Sequence, residues 1–124
     1  MTGAKQGDGQ DIFDALRQTL RQFAEEREWD QFHSPKNLAI ALSVEAAELL
    51  EHFQWVYETD SAVMAPERLE KVSHEMADVL LYLIRLADKL NIDLAAAAAE
   101  KIRLNAAKYP IDKARGNAKK YTEF

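Results

Sequence analysis

Four carboxylates stand in two pairs, and the members of each pair are three residues apart. Glu45 and Glu48 belong to the run SVEAAELLEHFQW, and Glu75 and Asp78 belong to the run HEMADVLLYL. A spacing of three places both members of a pair on one side of a helix, and the apolar residues around them predict partial burial. If the two helices pack antiparallel, this acidic quartet shares one cavity, where the four acids cannot all stay ionised without compensation.

A hard divalent cation would supply that compensation. Mg²⁺ binds through oxygen ligands, and Mn²⁺ accepts similar ones, so all four members of the acidic quartet are predicted metal ligands. A di-iron site would require Glu-x-x-His pairs, and His52 and His74 fall out of step with that pattern. The alternative is that these acids are ordinary solvated helix residues, as Glu51 at the edge of the site can be.

The elements that position these acids are predicted to be helices, because apolar residues recur at steps of three and four and long strand-like alternation is missing. Asp11, Ser34 and Asp93 are the predicted N-caps, and Pro35 suits the first position of its helix. Tyr109 precedes a proline and so ends the last helix. The predicted helices cover about residues 11–29, 35–56, 65–90 and 94–108.

Four amphipathic helices with short connections favour an all-α fold, a four-helix bundle or a close variant. One domain over residues 1–124 is predicted, with a disordered or frayed start at 1–10 and an irregular basic tail at 111–124. The second and third helices have wide apolar faces, which predict an oligomer.

The composition favours a globular protein and argues against several classes. The chain has 124 residues, 48% hydrophobic and 30% charged, which suffices for one core. Cysteine is absent and the start lacks an apolar signal segment, which fits the cytoplasm. No run approaches the ~18 apolar residues of a membrane span. A net charge of −5 argues against binding a nucleic acid polymer, although metal ions could still bridge the protein to a small polyanion.

The two acidic motifs carry a family resemblance. E-A-A-E on one helix and E-M-A-D on the next resemble the motifs of the all-α nucleoside triphosphate pyrophosphatases, the MazG-like superfamily. Further segments are similar to the dCTP pyrophosphatase branch, and the match extends from about Phe23 to Glu123. These segments are REWDQFHSPKNL, LEHFQW, HEMADVLLYL, the stretch from Lys101 to Pro110, and the closing KYTE.

The resemblance implies an enzyme that hydrolyses dCTP or a related pyrimidine triphosphate between the α and β phosphates. The products would be a monophosphate and pyrophosphate, and the cofactor would be Mg²⁺, with Mn²⁺ as a substitute. Glu48 would accept the proton of the attacking water. A glycine-rich P-loop is missing from the sequence, so phosphate binding would differ from that of Walker-type ATPases. The resemblance also implies a homo-oligomer, a dimer or tetramer.

A nucleotide pocket is implied on the same basis. Aromatic faces can stack on a base, and Lys101 and Asn105 share a helix face that suits phosphate and sugar or base. Leu20 departs from the pattern, because some relatives carry histidine nine residues before the matched tryptophan. The alternatives are core aromatics, a histidine that braces its turn, an exposed helix face and a solvated tail. The predicted substrate-binding residues are Trp29, His33, Trp55, Tyr82, Lys101, Asn105, Lys120 and Tyr121.

Two other functions stay open at the level of sequence. A non-catalytic helical bundle could bind a nucleotide, a metal or a partner without turnover. A pyrophosphatase with a different pocket could act on dUTP or on an oxidised purine nucleotide instead.

Overall fold

The computed structural model describes the backbone of residues 8–124, and it describes the side chains from residue 12 onward except that of residue 59. Residues 1–7 of the predicted frayed start lie outside this part. No strand occurs in the described chain, so the all-α prediction is confirmed, and none of its helices could cross a membrane. The helices are α1 (Asp8–Glu26), α2 (Pro35–Glu51), α3 (Pro66–Lys89), α4 (Leu94–Lys108) and α5 (Ile111–Ala114).

The first helix differs from its prediction at both ends. Its described part starts at Asp8, ahead of the predicted cap at Asp11, so Asp11 lies within the helix. It ends before Glu28, whose φ of 54° is left-handed, and the N–H of Trp29 donates to the carbonyl of Ala24 at 2.8 Å. This bond closes a Schellman-type end, so Trp29 lies in the connection after α1 rather than in the helix.

The second helix begins as predicted and ends early. The Ser34 hydroxyl accepts a hydrogen bond from the N–H of Asn37 at 3.1 Å, which confirms this residue as the N-cap. The predicted end near Val56 is wrong, because the chain tightens into turns after α2. There the N–H of Phe53 donates to the carbonyl of Leu50 at 2.8 Å, three residues back instead of four.

The boundary between α3 and α4 lies where the sequence predicts it, between residue 90 and the cap at Asp93. Asn91 takes a left-handed φ of 58°, and the N–H of Ile92 donates to the carbonyl of Ala87 at 2.8 Å, which ends α3. The Asp93 carboxylate then accepts from the N–H of Ala96 at 3.0 Å and caps α4.

The chain divides into two compact units, one up to Ile92 and one from Asp93. In the first unit, α3 contacts both α1 and α2. The prediction of a single domain stays a prediction. The buried apolar side chains are Ala24, Leu38, Val72, Ile84 and Ala87, all in the first unit.

The apolar residues beside the acidic quartet are less buried than predicted. Val44, Leu50 and Met76 are 50%, 61% and 57% exposed. The apolar residues of α2 surround much of its circumference, whereas α3 covers one side of it.

The tail of the second unit was predicted to be irregular, but part of it is regular. It contains α5 and a short 3₁₀ turn at its end. The Tyr109 ring lies edge-on to the rings of Tyr121 and Phe124, with centroids 6.0 Å and 5.8 Å away. The Glu123 carboxylate accepts from the N–H of Lys120 at 2.7 Å. These aromatic contacts order the KYTE segment against the end of α4.

Candidate active site

The acidic quartet converges where α2 packs on α3. One carboxylate oxygen from each of Glu45, Glu48 and Glu75 lies within 4.8 Å of the other two. Asp78, the fourth member, is exposed and shares a hydrogen bond with Glu45. The other three side chains are half-buried. The structure therefore brings together all four acids that the spacing singled out.

Crowding changes the protonation of Glu45. Burial, hydrogen bonds with Asp78 and Glu48, and the charges of those two acids raise the pKa of Glu45 to about 7. A carboxyl group with this pKa keeps a proton near neutral pH in about half of the molecules when no cation is present. The cluster thus relieves its repulsion by binding a proton, as expected for acids that share a site.

The same carboxylates also fit a divalent cation. The Oε2 atom of Glu75 is buried and has no hydrogen-bond partner among the residues that the structure describes. A buried carboxylate oxygen without a donor is costly, and a cation would satisfy it. The donor set contains only carboxylate oxygens, which Mg²⁺ and Mn²⁺ prefer. Glu51, one turn beyond Glu48, is exposed and stands outside this cluster.

A cavity of about 370 Å³ adjoins the cluster. Asp78 lines this cavity and also bonds with Glu45, so the cavity and the acids share one residue. Arg85 lines it two helical turns further along α3, about 10 Å away at 1.5 Å per residue. The remaining lining residues are Leu16, Thr19, Leu20, Phe23, Ala24, Trp29, His33, Leu81 and Tyr82.

The wall of the cavity can accept a flat apolar ring. Trp29 is 44% exposed, and its ring meets the edge of Phe23 with centroids 5.7 Å apart. The His33 ring lies 6.4 Å from that of Trp29. Tyr82 contributes a second predicted aromatic group, and Leu20 adds an apolar side chain to the same wall.

Sequence reasoning missed Arg85. This side chain is only 6% exposed, and it donates to His33 and to Asp30. A signal was present, because Glu75, Asp78, Tyr82 and Arg85 follow one another at steps of three, four and three. Such steps keep residues on one face of a helix, so the face that carries the acids also carries this arginine.

The chain is similar to known proteins over most of this region. A sequence model of the MazG-like family matches residues 40–124, which is more than half of the chain and includes the whole acidic quartet. The chain belongs to the MazG-like family. The family resemblance inferred from the two acidic motifs is thereby confirmed.

Relatives of this MazG-like chain have names that describe an activity. It is 41% identical over 88 residues to dCTP pyrophosphatase 1 of Mus musculus and 39% identical over 88 residues to the Homo sapiens protein of that name. Each match covers 69% of this chain and 52% of the relative, so the chain spans about half the length of these curated relatives.

A solved structure supports the fold of the MazG-like chain over a larger share of both molecules. The crystal structure of a pyrophosphatase from Archaeoglobus fulgidus is 39% identical in sequence. The superposition has a TM-score of 0.68 and covers 85% of this chain and 94% of that one.

Five predicted substrate-binding residues of this MazG-like chain are not among the residues that line the described cavity. Trp55 follows α2, and its side chain is 88% exposed. The other four are exposed residues of the second unit, and they are Lys101, Asn105, Lys120 and Tyr121.

Proposed function

We propose that this MazG-like protein is a nucleoside triphosphate pyrophosphohydrolase that takes dCTP or a related pyrimidine triphosphate. Its products are the nucleoside monophosphate and pyrophosphate. The observation that carries the proposal is the shared residue Asp78, which joins an aromatic cavity to a cluster of acids. The relatives named for dCTP hydrolysis support the choice of base, and so does a cavity of a size that suits one base and sugar.

The charges of the site indicate the orientation of the bound substrate. The triphosphate belongs at the acidic quartet and the base belongs between the aromatic side chains near Trp29. A polyphosphate and four acids repel each other, so the substrate requires a cation for binding as well as for chemistry. Glu45, Glu48, Glu75 and Asp78 would hold that cation. When bound there, Mg²⁺ or Mn²⁺ supplies charge that stabilises the phosphoryl oxygens and makes water a stronger acid.

The hydrolysis also requires a carboxylate that accepts a proton. The water oxygen forms a bond to phosphorus, the bond between the α and β phosphates breaks, and pyrophosphate leaves with the bonding electron pair. Glu48 accepts the proton that the water loses. Its side chain is half-buried in the cluster, and one of its carboxylate oxygens lies within 4.8 Å of an oxygen of Glu45 and of Glu75. Trp29, Tyr82 and His33 hold the base during this step.

The remaining predicted contacts stay part of the proposal. Five predicted residues that do not line the described cavity are also proposed to contact the substrate. They are Trp55, Lys101, Asn105, Lys120 and Tyr121. The exposed apolar side chains of α2 and α3, together with Trp55, support a homo-oligomer, a dimer or a tetramer. A cytoplasmic location remains a prediction.

The test is release of pyrophosphate by the purified chain across all natural and several damaged triphosphates. We expect the highest kcat/KM with dCTP or another pyrimidine triphosphate, with Mg²⁺ or Mn²⁺ present and no turnover in EDTA. Full activity in the double variant Glu48→Gln, Asp78→Asn would contradict the proposed mechanism. A purine substrate would keep the chemistry and refute the choice of base.

A melting experiment separates turnover from binding alone. The protein is heated with dCTP, with Mg²⁺, and with both. Joint stabilisation with no pyrophosphate released would replace the enzyme by a nucleotide-binding or regulatory module, the alternative that the sequence left open.

A further inference from the structure

The imidazole of His33 is held by a buried arginine from a distant part of the chain. The Nε atom of Arg85 donates to the Nδ1 atom of His33 at 3.2 Å. A guanidinium carries only donors, so the ring nitrogen that faces it must be the unprotonated one. In the neutral ring the proton therefore lies on Nε2, at the other side of the imidazole.

Arg85 cannot easily withdraw from this contact, because its other nitrogens are also engaged. One Nη atom donates to the Asp30 carboxylate at 2.7 Å, and the other lies 3.5 Å from Asp88. The Asp88 side chain is only 5% exposed and receives two hydrogen bonds from Arg21, at 2.6 Å and 2.7 Å. This network fixes the guanidinium and, through it, the plane of the His33 ring.

Burial and the neighbouring positive charges keep His33 neutral. Burial, followed by the positive charges of Arg85 and Lys89, lowers the pKa of His33, and Asp30 opposes them with a smaller effect. The other charged group that lines the cavity is Asp78 of α3, whereas the side chains that α1 contributes to it are uncharged. At neutral pH the ring is therefore a single N–H donor without a positive charge.

We propose that Arg85 is a positioning residue that holds His33 in its neutral Nε2–H form, so that His33 recognises a hydrogen-bond acceptor on the edge of the base and not a phosphate. The inference rests on the proposed function, because it assigns a role within the same cavity. A neutral donor has little attraction for a polyphosphate, and the acids that would hold the phosphates lie toward the opposite end, beyond Asp78. The O2 and N3 atoms of cytosine are acceptors of the required kind, whereas uracil has an N–H at N3.

The ring nitrogens can be measured without any substrate. Long-range ¹H–¹⁵N NMR spectra of the full chain report the tautomer of each of its three histidines, and His33→Gln identifies the signals of His33. We expect the proton on Nε2 and a pKa below the ordinary 6.5. A proton on Nδ1, or an ordinary pKa, would overturn the inference in the unmodified protein, so the result does not depend on the folding of a variant.

The Arg85→Met variant removes the donor and the charge while it keeps most of the length of the side chain. We expect a mixture of tautomers, a higher pKa for His33 and a KM for dCTP about tenfold higher, as for one lost hydrogen bond, with kcat changed by less than about threefold. KM should also become dependent on pH between about 5.5 and 7.5. Arg85→Lys keeps the charge and shows whether the charge alone lowers the pKa.

Two further variants separate positioning from packing. His33→Gln keeps an N–H donor but cannot titrate, so adding Arg85→Met to it should raise KM much less than Arg85→Met does alone. Arg21→Gln is the matched control, because Arg21 belongs to the same ionic network but does not contact His33. The bond between Arg85 and His33 stays in place in this variant, so it should change the tautomer and KM much less than Arg85→Met does.

The outcomes distinguish this inference from the function on which it rests. Hydrolysis of dCTP with an unchanged KM in a folded Arg85→Met variant would overturn the role of Arg85 and leave the enzyme intact. If the unmodified protein hydrolyses no triphosphate, the proposed function fails, and the NMR measurement still decides which nitrogen of His33 carries the proton.

Discussion

Glu48 and Glu51 lie one turn apart on α2 and differ in their surroundings. Glu48 is half-buried within 4.8 Å of two other carboxylates, whereas Glu51 is exposed to solvent. We expect Glu48→Gln to lower kcat for dCTP by roughly 10²–10⁴-fold, since it removes the proposed proton acceptor and one charge of the proposed metal site. Glu51→Gln, the same change in the exposed residue, should stay within about twofold. Equal losses in both variants, measured as pyrophosphate release at saturating substrate, would refute the role of Glu48.

Trp29 provides the second residue-scale prediction. Its ring is partly exposed to the cavity and braced at its edge by Phe23. Base stacking is worth roughly 1–3 kcal/mol, so Trp29→Ala should raise KM for dCTP roughly five- to 150-fold with a smaller effect on kcat. Trp29→Phe keeps an aromatic face and should recover part of this affinity. If Trp29→Ala keeps the original KM while its melting temperature falls, the ring is a packing residue only.

At the scale of the elements, α3 connects the parts of the site. It carries Glu75 and Asp78 of the acidic quartet, then Tyr82 and Arg85 of the cavity, all on one face. One helix therefore sets the distance between the acidic quartet and the aromatic cavity, the proposed sites of the phosphates and the base. The connection after α1 places Trp29 and His33 beside that face.

The cap of α2 makes a testable contribution to this arrangement. Ser34 follows His33 directly and accepts the N–H of Asn37. We expect Ser34→Ala to lower the free energy of unfolding by about 1 kcal/mol, because the N–H loses its partner. Ser43→Ala is the matched control, because Ser43 lies within α2 and donates to the carbonyl of Ala39, so its change should lie within about 0.5 kcal/mol. Urea denaturation measures both, and equal values would contradict the capping role.

At the scale of the whole molecule, we expect the acidic quartet to couple the stability of the protein to pH and to a divalent cation. The raised pKa of Glu45, about 7, means that the folded protein keeps a proton that the unfolded chain releases near 4.5. The corresponding stabilisation is complete below about pH 4.5 and is lost as pH rises through about 7. The lowered pKa of His33 acts in the opposite direction, because its charging costs stability as pH falls below 6.5.

Comparing the unmodified protein with Glu45→Gln isolates the contribution of the Glu45 carboxyl group to stability. In EDTA, we expect the melting temperature of the unmodified protein to fall relative to that of Glu45→Gln between about pH 5 and 7.5. Adding Mg²⁺ should stabilise the unmodified protein more at pH 7.5 than at pH 5, since the cation binds the ionised carboxylates. A difference between the two proteins that does not vary with pH, or Mg²⁺ stabilisation that is greater at pH 5, would refute this coupling.

Much of the molecule was predictable because the deciding interactions are local. The steps of three between Glu45 and Glu48 and between Glu75 and Asp78 place these acids on single helix faces whatever the rest of the chain does. The caps at Ser34 and Asp93 act on N–H groups within three residues, so their positions were correct. The all-α class and the family follow from the same local patterns.

The rest depends on which surfaces meet, and local periodicity does not carry that information. Arg85 and His33 are 52 residues apart, and their contact exists only because α3 passes the start of α2. Leu50 and Trp55 are apolar yet exposed, because burial requires a neighbouring surface and not merely an apolar side chain. The amino-acid sequence thus determined the helices and the chemistry that each face can carry. The packing of α3 against α1 and α2 determined which of those groups share a cavity, because long-range contacts depend on the shapes of whole helices.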